Sequence, residues 1–224
     1  MKLIIGNYNY STWSMCAWLF VHRHELPVEV KCYDLNSDKL NQVLSKRFSG
    51  DKVPVLLDGD TEVWDSLAIL EYLGERFPES HAWPKDRKAR AVARSVCAEF
   101  HSSFEALRTE APMNLRKRFP GYTLSEAALA DLRRIQELWR YCRENFGKGG
   151  PWLFGKPTVA DTLSAPAIMR FRSVEVELDD NALDYCRTMD KCPSIREWIC
   201  LALKETHRVD EDELDWPSEV VTEI

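Results

Sequence analysis

The strongest constraint on this chain's fold is the order of apolar and turn-forming segments before residue 78. Residues 3–5 (Leu-Ile-Ile) read as a short buried strand, and Gly6 and Asn7 break it. Met15, Trp18, Leu19 and His22 then recur at helical spacing up to a stop before Pro27. Residues 28–33 alternate apolar and polar side chains, the pattern of a strand with one buried face. Leu40, Val43 and Leu44 mark a second helix within 34–47, so the first two strands are expected to run parallel across a helical crossover. Residues 53–57 and 62–64 flank Asp58-Gly59-Asp60, which predicts an antiparallel hairpin. A further helix over 66–77 buries Ile69, Leu70, Tyr72 and Leu73. The resulting order is β-α-β-α-β-β-α, a mixed sheet with helices.

Chemistry is expected where the first strand meets the first helix. The leading amides of a helix lack intrahelical acceptors and carry partial positive charge, so an anion is favoured in front of them. Ser11, Thr12 and Ser14 occupy that junction, although Ser and Thr also serve there as plain helix caps.

Residues 79–86 contain turn-forming residues without periodicity and read as a linker, so the chain divides into domains at 1–78 and 87–224. The second domain reads as all-helical. One stripe runs through Ala89, Val92, Ala93, Val96, Phe100, Phe104 and Leu107, and another through Leu124, Ala128, Leu132, Ile135, Trp139, Cys142 and Phe146. These two helices are expected to pack antiparallel, with 112–121, which carries Arg116, Lys117 and Arg118, as a solvated loop between them. Thr158 and Asp161 hold the two reciprocal positions of a capping box, with Asp in place of Glu or Gln, and start a helix to about Arg172. Helices over 180–189 and 193–203 follow. The acidic stretch 210–215 reads as a mobile tail that Trp216 and Pro217 are able to dock.

The formal net charge of -6 argues against a sequence-independent nucleic-acid surface. No apolar run approaches the ~20 residues that span a bilayer, and residues 1–6 are too short for a signal peptide. The seven cysteines are an odd number with no Cys-x-x-Cys pair, which suggests reduced thiols and a cytoplasmic protein. No His, Cys or carboxylate cluster has the spacing of a metal site.

Four segments together resemble the cytosolic glutathione transferases, across both halves of the chain. Ser-Thr-Trp-Ser-Met-Cys at 11–16 is similar to the Ser-Ser-x-x-x-Arg opening of the serine-type, zeta-like bacterial branch. Lys-Val-Pro-Val-Leu at 52–56 is similar to the family's cis-proline loop, and Trp-Asp-Ser-Leu-Ala-Ile at 64–69 to its γ-glutamyl-binding turn. Thr-Val-Ala-Asp at 158–161 is similar to the capping box of its helical domain. The resemblance implies a thioredoxin-like first domain, an all-α second domain and glutathione as co-substrate. It implies Ser11 as the hydroxyl facing the glutathione sulfur, with Ser14 and Cys16 as secondary candidates. Lys52, Val53, a cis Pro54, Asp65 and Ser66 would hold the tripeptide. Phe104, Met113 and Asn114 are expected at the apolar substrate pocket. Cys16 stands where the branch usually has Arg, so a positive charge expected near the sulfur is absent.

The implied activity is conjugation of the glutathione thiolate to a small apolar electrophile by a cytoplasmic homodimer, in detoxification, with no nucleic-acid or membrane partner. Two other functions are compatible with the same motifs. One is a non-catalytic binding protein on this fold, and the other is a Cys16-dependent thiol transferase.

Overall fold

The computed structural model describes residues 1–222. Four strands form one mixed sheet in the order β2-β1-β3-β4, where β1 is Lys2–Gly6, β2 Glu29–Tyr33, β3 Val55–Asp58 and β4 Thr61–Trp64. β1 runs parallel to β2 and antiparallel to β3, and β3 pairs antiparallel with β4. The period-2 alternation of β1 divides the two faces. Leu3 and Ile5, with Leu56, pack toward α1 (Thr12–Arg23) and α3 (Ser66–Arg76), while Ile4 and Val55 pack with Leu40 and Leu44 of α2 (Asp38–Leu44).

The helical domain comprises α4 (Arg87–Ser102), α5 (Glu105–Glu110), α6 (Glu126–Phe146), α7 (Val159–Val174), α8 (Asp180–Asp190) and α9 (Pro193–Lys204). α1 packs on α7 and α9, so the apolar face of the sheet and the helical core form one continuous cluster, from Leu3 and Ile5 through Trp18 to Trp198.

Three expectations are corrected here. The stripe from Ala89 to Leu107 is not one helix, because Phe104 takes a left-handed φ of 64° and breaks it into α4 and α5. Antiparallel contact with α6 is kept by α5, where Leu107 N–H donates to Asp131 and Glu110 accepts from Ser125, while α4 packs on α7 and reaches α6 through the Glu99–Arg134 ion pair. Residues 112–121 are not a solvated loop. Arg116 donates to the carbonyls of Glu205 and His207, and Lys117 pairs with Glu213 at 2.5 Å. The acidic tail is accordingly docked. β5 (Lys117–Arg118) pairs with β6 (Glu219–Val220), and Trp216 donates its indole N–H to the Pro120 carbonyl.

At the start of α7 the Asp161 carboxylate is fully buried and accepts four bonds. They come from the amides of Leu153 (3.1 Å) and Thr158 (2.8 Å) and the hydroxyls of Thr158 (3.1 Å) and Tyr185 (2.9 Å). Burial raises the Asp161 pKa, and the donated bonds and the nearby Arg23 charge oppose that rise. Asp161→Ala leaves several buried donors without an acceptor, so it is expected to cost about 2–4 kcal/mol. Thermal unfolding should show a Tm lowered by roughly 5–15 °C, with Asp161→Asn losing less because it retains an acceptor. An unchanged Tm in Asp161→Ala would remove the carboxylate from the fold's supports.

Candidate functional site

Gly6 ends β1 against the turn into α1, and a Cβ there would lie 2.8 Å from Ser11 Oγ and 2.6 Å from a Leu35 methyl carbon. This close approach turns Ser11 inward. Its hydroxyl is buried and donates to Ser14 Oγ at 2.7 Å, which in turn accepts the Gly6 amide at 3.0 Å. Ser11, expected from the resemblance to face a bound sulfur, is not among the residues that line the two cavities beside α1. The secondary candidates lie deeper. Ser14 and Cys16 are fully buried, and the Cys16 thiol, 3.5 Å from the Thr12 carbonyl, has its pKa pushed far upward by desolvation, which removes it as a nucleophile at neutral pH. The hydroxyl that does line a cavity at this helix end is that of Thr12.

A polar cleft of about 500 Å³ is lined by Trp13, Ser49, Lys52, Val53, Pro54, Trp64, Asp65, Ser66, His101 and Arg108. The resemblance-derived residues Lys52, Val53, Pro54, Asp65 and Ser66 are therefore brought together, and the Val53–Pro54 bond is cis. Asp65 caps α3 from a φ of 72°, a backbone region costly for a residue with a Cβ, on the order of 1–3 kcal/mol. Its Oδ1 accepts the Leu67 and Ala68 amides, and its Oδ2 lies 2.7 Å from His101 Nε2. Two hydroxyls of this cleft, Ser49 Oγ and Ser66 Oγ, are buried without a hydrogen-bond partner. Buried polar groups are ordinarily satisfied, so such orphans point to a missing ligand or water.

The second cavity is an apolar slot of about 30 Å³ lined by Thr12, Trp13, Phe100, Phe104, Leu107, Arg108, Ile135, Leu163, Pro166, Ala167 and Arg170. Trp13 and Arg108 border both spaces, and the Arg108 guanidinium sits 5.6 Å over the Trp13 ring. Of the three expected pocket residues, Phe104 lines the slot. Met113 and Asn114 do not. They are buried behind it, where the Asn114 side chain accepts from Asn9 at 3.1 Å and donates to Glu213 at 3.1 Å. Arg170 on α7 is only 8% exposed, and it donates to the Arg108 and Ala111 carbonyls and to Thr12 Oγ1.

The adjoining spaces combine three cations (Lys52, Arg108 and Arg170), one carboxylate and two unpaired hydroxyls with an apolar recess, all beside a helix N-terminus. Such a set suits a zwitterionic ligand with two carboxylates and one ammonium. Trp13, His101, Arg108 and Arg170 have no local signal in the sequence as site residues, whereas Thr12 is one of the three hydroxyls expected at the strand–helix junction. His101 and Arg108 lie one helical repeat apart at seven residues, but that spacing acquires meaning only once the break at Phe104 is known. No helix among the described residues is long and apolar enough to cross a membrane.

Comparison with known proteins accords with this geometry. Residues 10–76 match the family model "Glutathione S-transferase, N-terminal domain". Glutathione S-transferase 1 of Dianthus caryophyllus is 35% identical over 111 residues, 48% of this chain and 50% of the relative. Glutathione S-transferase Z1 of Arabidopsis thaliana is 36% identical over 92 residues, 37% of this chain and 40% of the relative. The chain thus spans about half the length, or less, of these curated relatives. A crystal structure of a glutathione transferase homolog from Burkholderia, with bound glutathione, superposes with a TM-score of 0.68 over 90% of this chain and 97% of its own, at 24% identity, a likeness of fold. Residues 10–76 thus match the glutathione S-transferase N-terminal domain, and the chain as a whole shares the fold of that solved glutathione transferase homolog.

Proposed function

We propose that the protein binds glutathione in the polar cleft and joins its sulfur to a small apolar electrophile seated in the adjoining slot. The observation that carries this reading is the pair of buried, unpartnered hydroxyls, Ser49 and Ser66, in a cleft that also holds Asp65, Lys52 and Arg108. In this reading Ser66, at the first position of α3, receives the γ-glutamyl carboxylate, and the Asp65 carboxylate pairs with the ammonium. Lys52 meets the glycine carboxylate, and the Val53 backbone at the cis proline pairs with the cysteinyl backbone. The thiol then lies at the N-terminus of α1, where partial positive charge favours the thiolate. The thiol first gives its proton to solvent; the C–S bond then forms as the thiolate attacks the electrophilic carbon, and the electron pair of the bond that breaks there leaves with the departing group or, in an addition, takes up a proton from solvent. The narrowness of the slot, about 30 Å³, supports a small electrophile over a bulky one. The depth of Cys16 speaks against the thiol-transfer function.

A free thiol with pKa about 8.5 is only a few per cent ionised at pH 7. Lowering it by two units requires about 2.7 kcal/mol of preferential thiolate stabilisation. One hydroxyl bonded to the anion supplies roughly 1.5–3 kcal/mol and the helix end about 0.3–1 kcal/mol, so a single well-placed hydroxyl suffices.

Ser66→Ala removes a hydroxyl that supports nothing in the free protein. It is expected to raise the glutathione Kd about ten- to a hundredfold by calorimetry, with kcat near wild type and Tm unchanged. Asp65→Ala should weaken binding too, but it also uncaps α3, with a stability loss of about 0.5–2 kcal/mol. A Ser66→Ala enzyme with unchanged affinity and a collapsed kcat would overturn the assignment.

We also propose the homodimer that the family resemblance implies. It is supported by Phe48, which is 84% exposed and lies with its ring tilted 54° and centred 5.2 Å from that of the exposed Trp64, which lines the cleft. Sedimentation should give twice the 26.0 kDa chain mass, and Phe48→Ser should shift the equilibrium toward the single chain. A wild type that sediments at one chain mass at micromolar concentration would count against the dimer.

A further inference from the structure

The position where a cation is expected, one turn into α1, holds the buried thiol of Cys16. A cation nevertheless reaches this helix end from the other domain. Arg170, on α7, extends its guanidinium to the first residue of α1 and donates from Nη2 to Thr12 Oγ1 at 2.9 Å. Its Nη1 is committed to the carbonyls of Arg108 (3.0 Å) and Ala111 (2.5 Å), which fixes the guanidinium plane. We propose, building on the glutathione reading above, that Thr12 is the catalytic hydroxyl that stabilises the bound thiolate. Arg170 is its positioning residue and supplies across the domain interface the positive charge that position 16 lacks.

The argument rests on donor and acceptor inventory. A guanidinium only donates, whereas a threonine hydroxyl has one proton and two lone pairs. Because Arg170 occupies a lone pair of Thr12 Oγ1, the Thr12 proton must point elsewhere. Thr12 lines the slot, whose other lining side chains are apolar or, in Arg108 and Arg170, donors only. Those side chains offer no strong acceptor, so the proton awaits one that a ligand brings. The charge-assisted bond from Arg170 also polarises the hydroxyl, which makes it a better donor to an anion. Ser11 is in the opposite state, since its proton is already given to Ser14.

Arg170 has few charged neighbours. Arg108 repels it, Asp212 in the docked tail attracts it, and burial lowers its pKa to about 10, so it remains a cation at neutral pH. Arg108 is the competing source of positive charge, because it borders both cavities, but its effect would not pass through the Thr12 oxygen.

The test follows the ultraviolet absorbance of the glutathione thiolate bound to the full-length protein as a function of pH, with glutathione affinity measured separately by calorimetry. Thr12→Val, nearly isosteric, is expected to raise the pKa of the bound thiol by at least about one unit while Kd changes by less than about threefold. Thr12→Ser should restore the wild-type value, and Ser11→Ala should move it by less than about 0.3 units. Arg170→Met should raise the thiol pKa in the wild-type background and add nothing in the Thr12→Val background, the non-additivity of two groups acting as one. Arg170 also satisfies two carbonyls, so Arg170→Lys stands in if the methionine variant does not fold, and the Thr12 and Ser11 variants are decisive by themselves. A bound thiol whose pKa is unmoved in Thr12→Val, or moved as far by Ser11→Ala, overturns the proposal. So does an Arg170 effect that persists at full size without the Thr12 hydroxyl. A wild type to which glutathione does not bind in the calorimeter overturns the functional reading instead, and the two failures are read on different instruments.

Discussion

The turn between β1 and α1 is held in place by the other domain, and the site depends on that grip. The amides of Tyr8 and Asn9 both donate to the Glu205 carboxylate, at 2.7 and 2.9 Å. The Asn9 side chain donates to Asn114 and accepts the amides of Leu115 and Arg116. Arg116 completes the clamp by donating to the Tyr10 hydroxyl. Every one of these groups is buried or partly so, and a half-satisfied polar network in that position would cost more than an apolar one. The geometry of the helix end is thus specified by residues about a hundred and two hundred positions away in the chain.

The same logic runs through α7. Its first turn is anchored by Asp161, which draws Leu153, Thr158 and Tyr185 onto one buried carboxylate. Its middle presents Leu163, Pro166 and Ala167 to the slot, and its last turns carry Arg170 to α1. One helix therefore forms the centre of the second domain, a wall of the apolar recess and a polar contact to the first domain. Asp161 supports the site by fixing where α7 begins, without touching it.

Two kinds of polar group meet in the cleft. Asp65 already accepts from two α3 amides and pairs with His101, with acceptor capacity left on Oδ2, whereas Ser49 and Ser66 are buried and unsatisfied. The first kind preorganises the cleft, and the second is left for a ligand to complete. Fold stability and ligand affinity are consequently separable at Ser66 but entangled at Asp65, because only the latter caps a helix.

The architecture is legible in the sequence: the β-α-β-α-β-β-α order, the parallel first pair of strands, the antiparallel hairpin around Gly59, and the capping box at Thr158 and Asp161. These features are local, written in periodicity, turn residues and caps within a few positions of one another. Tertiary structure alone decided which hydroxyl at the head of α1 faces the cavity. Ser11 and Thr12 are adjacent and chemically alike, and the choice depends on Gly6 admitting Ser11 toward Ser14 and on Arg170 reaching Thr12 from α7. It also decided that Phe104 breaks the long helix, that Met113 and Asn114 retreat behind the slot, and that the acidic tail docks on Lys117. Each of those outcomes is set by a contact between residues far apart in sequence, for which no local pattern carries a signal.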